Sequence, residues 1–257
     1  MRDLEPLEMA LQSRSRPVTV FFRDDDAGWG NGALRALCER VSETGIELDL
    51  AVIPGALDRP AAAELIRLSR QFGSTLNFHQ HGYVHTNHQQ EGRKCEFGNE
   101  RYIGLQRNDI GLGQKHLKEV LGELVDPIFT PPWNRCTSDT CRVLAEFDFE
   151  AVSRISGSSE IEHFGLTDIS VAIDWQKKKH GEPLSWTEFC RYAQHYFQNC
   201  DVVGVMLHHE HLRNDDLDRL CLLIECLRDS GKAEFQSMLQ IVHSGCGEQR
   251  GSGDALQ

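Results

Sequence analysis

The chain has 257 residues, 40% hydrophobic and 26% charged, with a formal net charge of -12. That composition suits a soluble globular protein with a sizeable core, in one large domain or two small ones. The acidic balance argues against nucleic acid and an anionic membrane as the main partner, because both select a basic face. A neutral or amine-bearing substrate fits better.

Residues 1–17 mix acids, arginines and apolar side chains without a continuous apolar run. They read as an N-terminal extension, neither a signal peptide nor a membrane anchor. The nine cysteines are scattered, with no CxxC pair, and read as reduced thiols in a cytoplasmic protein. Strand and helix patterns then alternate. A strand over 18–23 (VTVFFR) is followed by a helix over 33–43, a strand over 47–53, a helix over 59–72 and a strand over 75–79. A long helix over 100–124 leads to a strand over 127–130, a helix over 138–147 and strands over 149–153 and 170–173. A helix over 186–198, a buried strand over 202–207 and a helix over 217–228 follow, with 235–242 open between strand and helix. Strands separated by helices pair in parallel, so about seven such units over 18–243 predict one α/β domain, a barrel or a doubly wound sheet. The Gly-rich residues 244–257 read as a disordered tail.

The chemistry-bearing residues fall at the C-terminal ends of these strands, where barrel active sites are built. The first strand runs into Asp24, Asp25 and Asp26 in FFRDDDAGWG. Three adjacent carboxylates repel one another and are costly to bury unpaired. They suit a solvated helix cap, or a metal ligand beside a general base. The third strand runs into FHQHGYVHTNH, which places four of the chain's 12 histidines, His79, His81, His85 and His88, within ten residues. His81 and His85 are four apart, so a helical turn would bring both imidazoles to one point. One Asp and two His leave a coordination position open for water, as in a catalytic metal site. The fourth strand ends in FTPPWNR, where two prolines stiffen the loop and Trp133 offers a flat apolar face for a sugar. Asp174 and Trp175 close another strand, and VVGVML runs into His208, His209 and His211.

The motifs DDDAG, HGYVH, FTPPWN, DW and LHH, in this order over roughly residues 18–242, resemble those of the polysaccharide deacetylases, carbohydrate esterase family four and its relatives. The resemblance implies a distorted (β/α)7 barrel, a divalent metal with zinc as the default, and hydrolytic removal of acetyl from an N-acetyl sugar. It implies His81 and His85 as metal ligands and His208 as general acid. Aligning DDG with DDA makes Asp25 the base and Asp26 the third ligand; aligning FDD with RDD makes them Asp24 and Asp25. The first register is preferred. His209 should point away from the site. Trp133, Arg135 and Asp174 are the candidate substrate-binding residues. The family often has an arginine, which orients the base, where this chain has Thr130; Arg23 and Arg135 are the candidates to replace it. The substrate is expected to be a small or oligomeric N-acyl sugar, with no nucleic acid or membrane partner and an oligomer allowed. A non-catalytic binding barrel and a hydrolase of non-sugar amides are the alternatives.

Overall fold

A computed structural model provides the structure of the protein and describes residues 3–245. Helix α1 (Glu5–Gln12) precedes β1 (Val18–Ala27), and strands then alternate with helices: α2 (Asn31–Thr44), β2 (Leu48–Val52), α3 (Arg59–Phe72), β3 (Leu76–His81), α4 (Ile103–Leu121), β4 (Val125–Thr130), α5 (Ser138–Glu146) and β5 (Ala151–Val152). Two short strands, β6 (Thr167–Asp168) and β7 (Val171–Asp174), lead to a hairpin of β8 (Lys178–Lys179) and β9 (Glu182–Pro183). The chain continues through α6 (Trp186–Asn199), β10 (Val202–His208), α7 (Asn214–Asp229), β11 (Ala233–Phe235) and α8 (Met238–Ser244). The region left open between strand and helix, 235–242, is the end of β11 and most of α8. From residue 246 onward, the expected tail lies outside the described residues.

The main sheet is wholly parallel, in the order β6-β5-β4-β3-β2-β1-β10-β7, with β11 added beside β1. Just after β5, Ile155 bridges to Val171 of β7, and Ser156 N–H donates to the Val171 carbonyl at 2.8 Å. That contact joins the two sides of the sheet, so β1, β2, β3, β4, β5, β7 and β10 ring a distorted (β/α)7 barrel.

Side chains alternate across each strand. Val20 and Phe22 of β1 pack outward with Leu34, Leu37 and Val41 of α2, an i, i+3, i+7 stripe. Phe21 packs inward with Ile128, Val171 and Met206, over Met238 and Ile241 of α8. Helix α8 thus plugs one end of the barrel. Arg23 and Asp25 share the inward face with Phe21, at the opposite end. Residues 1–17 contribute α1, which packs on α6 and α7 with Leu7 and Leu11 fully buried.

Candidate active site

Period-two alternation along β1 would send Asp25 and Asp26 to opposite faces of the sheet. The pairing with β2 prevents this. Asp24 pairs with Leu50 and Ala27 with Val52, so three steps on β1 match two on β2, and Asp26 has φ 70°. One extra residue in a left-handed conformation re-aims a side chain. The result is that Asp25 and Asp26 both face the cleft, while Asp24 faces α2.

Geometry thus sets Asp24 apart from the other two aspartates. Asp24 is buried against His209: its Oδ1 accepts the His209 backbone N–H at 2.9 Å, and its Oδ2 lies 2.7 Å from His209 Nδ1. His209 Nε2 lies 3.0 Å from the Trp29 carbonyl. Burial works against a charge on this imidazole, but Asp24 outweighs it and the pKa is pushed up to about 9. The Asp24–His209 pair points away from the cleft, as expected for His209.

Asp26 instead meets His81 and His85. Its Oδ1 lies 3.2 Å from His81 Nε2 and 3.3 Å from His85 Nε2, and the three ligand atoms lie within 4.8 Å of one another. The donor set of one carboxylate and two imidazoles fits a divalent metal. Two further observations favour that fit. Asp26 Oδ1 is buried with no hydrogen-bond partner. His81 Nδ1 lies 2.9 Å from the Thr130 carbonyl, an arrangement that puts the proton on Nδ1 and turns the Nε2 lone pair toward Asp26.

The helical turn expected to unite His81 and His85 is absent. His81 is the last residue of β3, and His85 sits in an irregular turn with φ 56°. Trp133 (φ 56°) and Asn134 (φ 58°) share this left-handed conformation. Strained backbone thus gathers around one cleft, a recurrent property of functional sites. Trp133 stacks obliquely on His85 at 4.4 Å between ring centroids, and Trp29 meets the same ring edge-on at 5.3 Å. Lys94 Nζ lies 5.9 Å from the Trp133 ring. Trp29, in the GWG segment, was assigned no role from sequence, yet it is 38% exposed at this rim.

Arg23, and not Arg135, pairs with Asp25. It is fully buried and holds Asp25 with two hydrogen bonds, Nε to Oδ1 at 2.8 Å and Nη2 to Oδ2 at 2.9 Å. Asn134 Oδ1 and Ser153 Oγ accept from the same guanidinium at 2.7 Å each. Burial alone would raise the Asp25 pKa, but Arg23, then His81 and His208, hold it below the usual carboxylate value. Arg135 turns elsewhere and donates to the Lys94 carbonyl at 3.0 Å. Thr130 Oγ1 lies 2.8 Å from Nε2 of His79, whose pKa is driven down to about 3 by burial and then by Arg23. His79 is thus a neutral packing partner of Thr130 beneath the cleft.

His208 is the cross-strand neighbour of Asp25, half-buried, with Nδ1 lacking a hydrogen-bond partner. Asp174, one strand further round beside Met206, influences both His208 and Asp25 electrostatically, and burial raises its pKa. Its Oδ1 accepts the Gln176 N–H at 2.8 Å. Trp175, next in sequence, packs into the outer core against Phe189. Asp25, Asp26, His81, His85, Trp133, Asp174 and His208 therefore all stand at the C-terminal end of the barrel.

No family model and no curated protein matches the sequence. Solved structures do. A Mycobacterium smegmatis protein described as a polysaccharide deacetylase is 17% identical with a TM-score of 0.68, covering 95% of this chain and 96% of that one. A family 4 acetyl xylan esterase from Clostridium thermocellum, solved with a cobalt ion, is 14% identical with a TM-score of 0.56, covering 88% and 92%. A family-four pseudoenzyme from Bacillus anthracis is 12% identical with a TM-score of 0.57, covering 89% of this chain and 66% of that one. The fold that the motifs implied is thus the fold observed: this chain has the architecture of the carbohydrate esterase family four deacetylases, carried by a divergent sequence.

Proposed function

We propose that this protein is a metal-dependent hydrolase that removes an acyl group, acetyl by default, from an N-acylated sugar or a related amide. The observation that carries the proposal is the convergence of Asp26, His81 and His85 beside a second carboxylate, Asp25, held by a buried arginine. A divalent ion, zinc by preference, held by Asp26, His81 and His85 would supply Lewis acidity to an acyl carbonyl and a water. Asp25, kept ionised by Arg23, is the base that accepts the proton of the attacking water. His208 is the acid that delivers a proton to the leaving amine nitrogen. Trp133 and Trp29 offer the apolar faces on which a sugar ring stacks.

Thr130, together with a pseudoenzyme among the similar folds, favours a second reading, a binding barrel without turnover. The bidentate hold of Arg23 on Asp25 weighs against it, because a carboxylate oriented in this way is what the chemistry needs.

Metal analysis of purified variants, followed by an acetate-release assay, tests the proposal. His81→Ala and His85→Ala are expected to lose the metal yet keep the fold by circular dichroism. Asp25→Asn and His208→Ala are expected to keep the metal and lose activity by a factor on the order of a hundred or more. Unchanged metal content in both histidine variants would remove the ligand assignment. Full activity in the other two would remove the mechanism.

A further inference from the structure

Glu96 lies in a segment without any readable motif, yet its side chain is fully buried. Its Oε1 accepts the Val84 N–H at 2.9 Å and its Oε2 the Tyr83 N–H at 3.2 Å. Among the described residues no Lys, Arg or His forms an ion pair with it. Burial raises the Glu96 pKa, while the backbone N–H groups of Val84 and Tyr83, and then the nearby His81, favour its carboxylate form. The two backbone N–H groups it captures belong to the turn that leads into His85.

That turn is gripped from two other directions. Gly55 N–H, after β2, donates to the Tyr83 carbonyl at 2.7 Å, and Gly82 N–H donates to the Thr130 carbonyl at 3.1 Å. The packing leaves no slack. A Cβ on Gly82 (φ 56°) would sit 2.3 Å from Glu96 Oε2 and 2.5 Å from Pro132 Cγ. Glu96 is itself fixed by its neighbours: Phe97 bridges to Cys136 and packs on Phe129, and Cys95 N–H donates to Asn87 Oδ1 at 2.9 Å. The loop beyond His85 therefore folds back to insert one carboxylate under the turn that it has just left.

We propose that Glu96 is a positioning residue for the metal centre, fixing the 82–85 turn that carries His85 and placing negative charge behind the ligand set. The inference rests on the metal reading above. A charged group held beyond the ligands both orients them and strengthens their hold on a cation, and losing such a partner typically costs about ten- to a hundredfold in metal affinity.

Cobalt(II) titrated into metal-stripped wild type, Glu96→Gln and Glu96→Asp, read by its visible d–d absorption, tests this. The Gln variant removes the charge and turns an NH2 group toward a backbone N–H. It is expected to bind cobalt about ten- to a hundredfold more weakly than wild type, with a shifted band. The Asp variant, charged but one methylene shorter, should fall between the two. A Gln variant that binds within twofold of wild type, with the same band, overturns the role of Glu96 alone. Wild type that binds no cobalt overturns the metal reading itself. If neither variant folds, backbone amide exchange of wild type decides: slow exchange at Tyr83 and Val84 supports the clamp, and exchange at the rate of an unprotected amide overturns it.

Discussion

Arg23 and Asp25 are two residues apart on one strand and form a buried ion pair on its inward face. Removing one partner of such a pair leaves the other charge uncompensated, at about 3–5 kcal/mol. Arg23→Gln should show that loss in urea denaturation, and Arg23→Gln/Asp25→Asn should recover much of it, since neighbours in one network are not additive. A double variant that loses as much as the Arg23→Gln and Asp25→Asn single variants together would mean that the pair is not coupled. His209 makes a different, pH-dependent contribution. Its imidazole titrates near 6.5 when free and near 9 in the fold, so the stabilisation is fully present below about pH 6.5 and is lost as pH rises through about 9. The urea midpoint of wild type should fall across that interval and that of His209→Gln should not. His209 was expected to face away from the cleft and does. That it anchors Asp24 was not legible, because nothing in the run of three aspartates says which one turns outward.

At the scale of elements, hydrophobic periodicity located the barrel strands but stopped short of their functional ends. The apolar pattern of the first strand ends at Arg23, while β1 continues through Ala27 and β3 continues through His81. Backbone pairing goes on where the side chains become polar, because those polar groups are buried in a site rather than solvated. The two-residue β6 and the β8–β9 hairpin are too short to show a period at all. Helix α1 did carry a signal, with Leu4, Leu7 and Leu11 at helical spacing and Pro6 in the first turn. Its packing on α6 and α7 makes it part of the folded unit, so Leu11→Ala should cost about 2–5 kcal/mol by denaturation, as for other buried leucines. A loss near zero would mean that the helix is detached.

At the scale of the whole molecule, parallel strands drawn from most of the chain deliver their C-terminal ends to one rim, while α8 closes the other. This is why residues as distant as Asp25 and His208 stand on neighbouring strands in direct register. Motif order made that convergence legible from sequence. Which of Arg23 and Arg135 would meet Asp25 was open, and only the three-dimensional path of the chain separates them. Among the described residues no helix is long and apolar enough to cross a membrane. The most direct test of the account is acetate release from N-acetylglucosamine oligomers by the metal-stripped protein before and after one equivalent of zinc or cobalt. No release is expected before, release is expected after, and none is expected from His85→Ala under either condition. Release by the metal-stripped protein, or none from the loaded protein on any N-acetyl sugar offered, would contradict it.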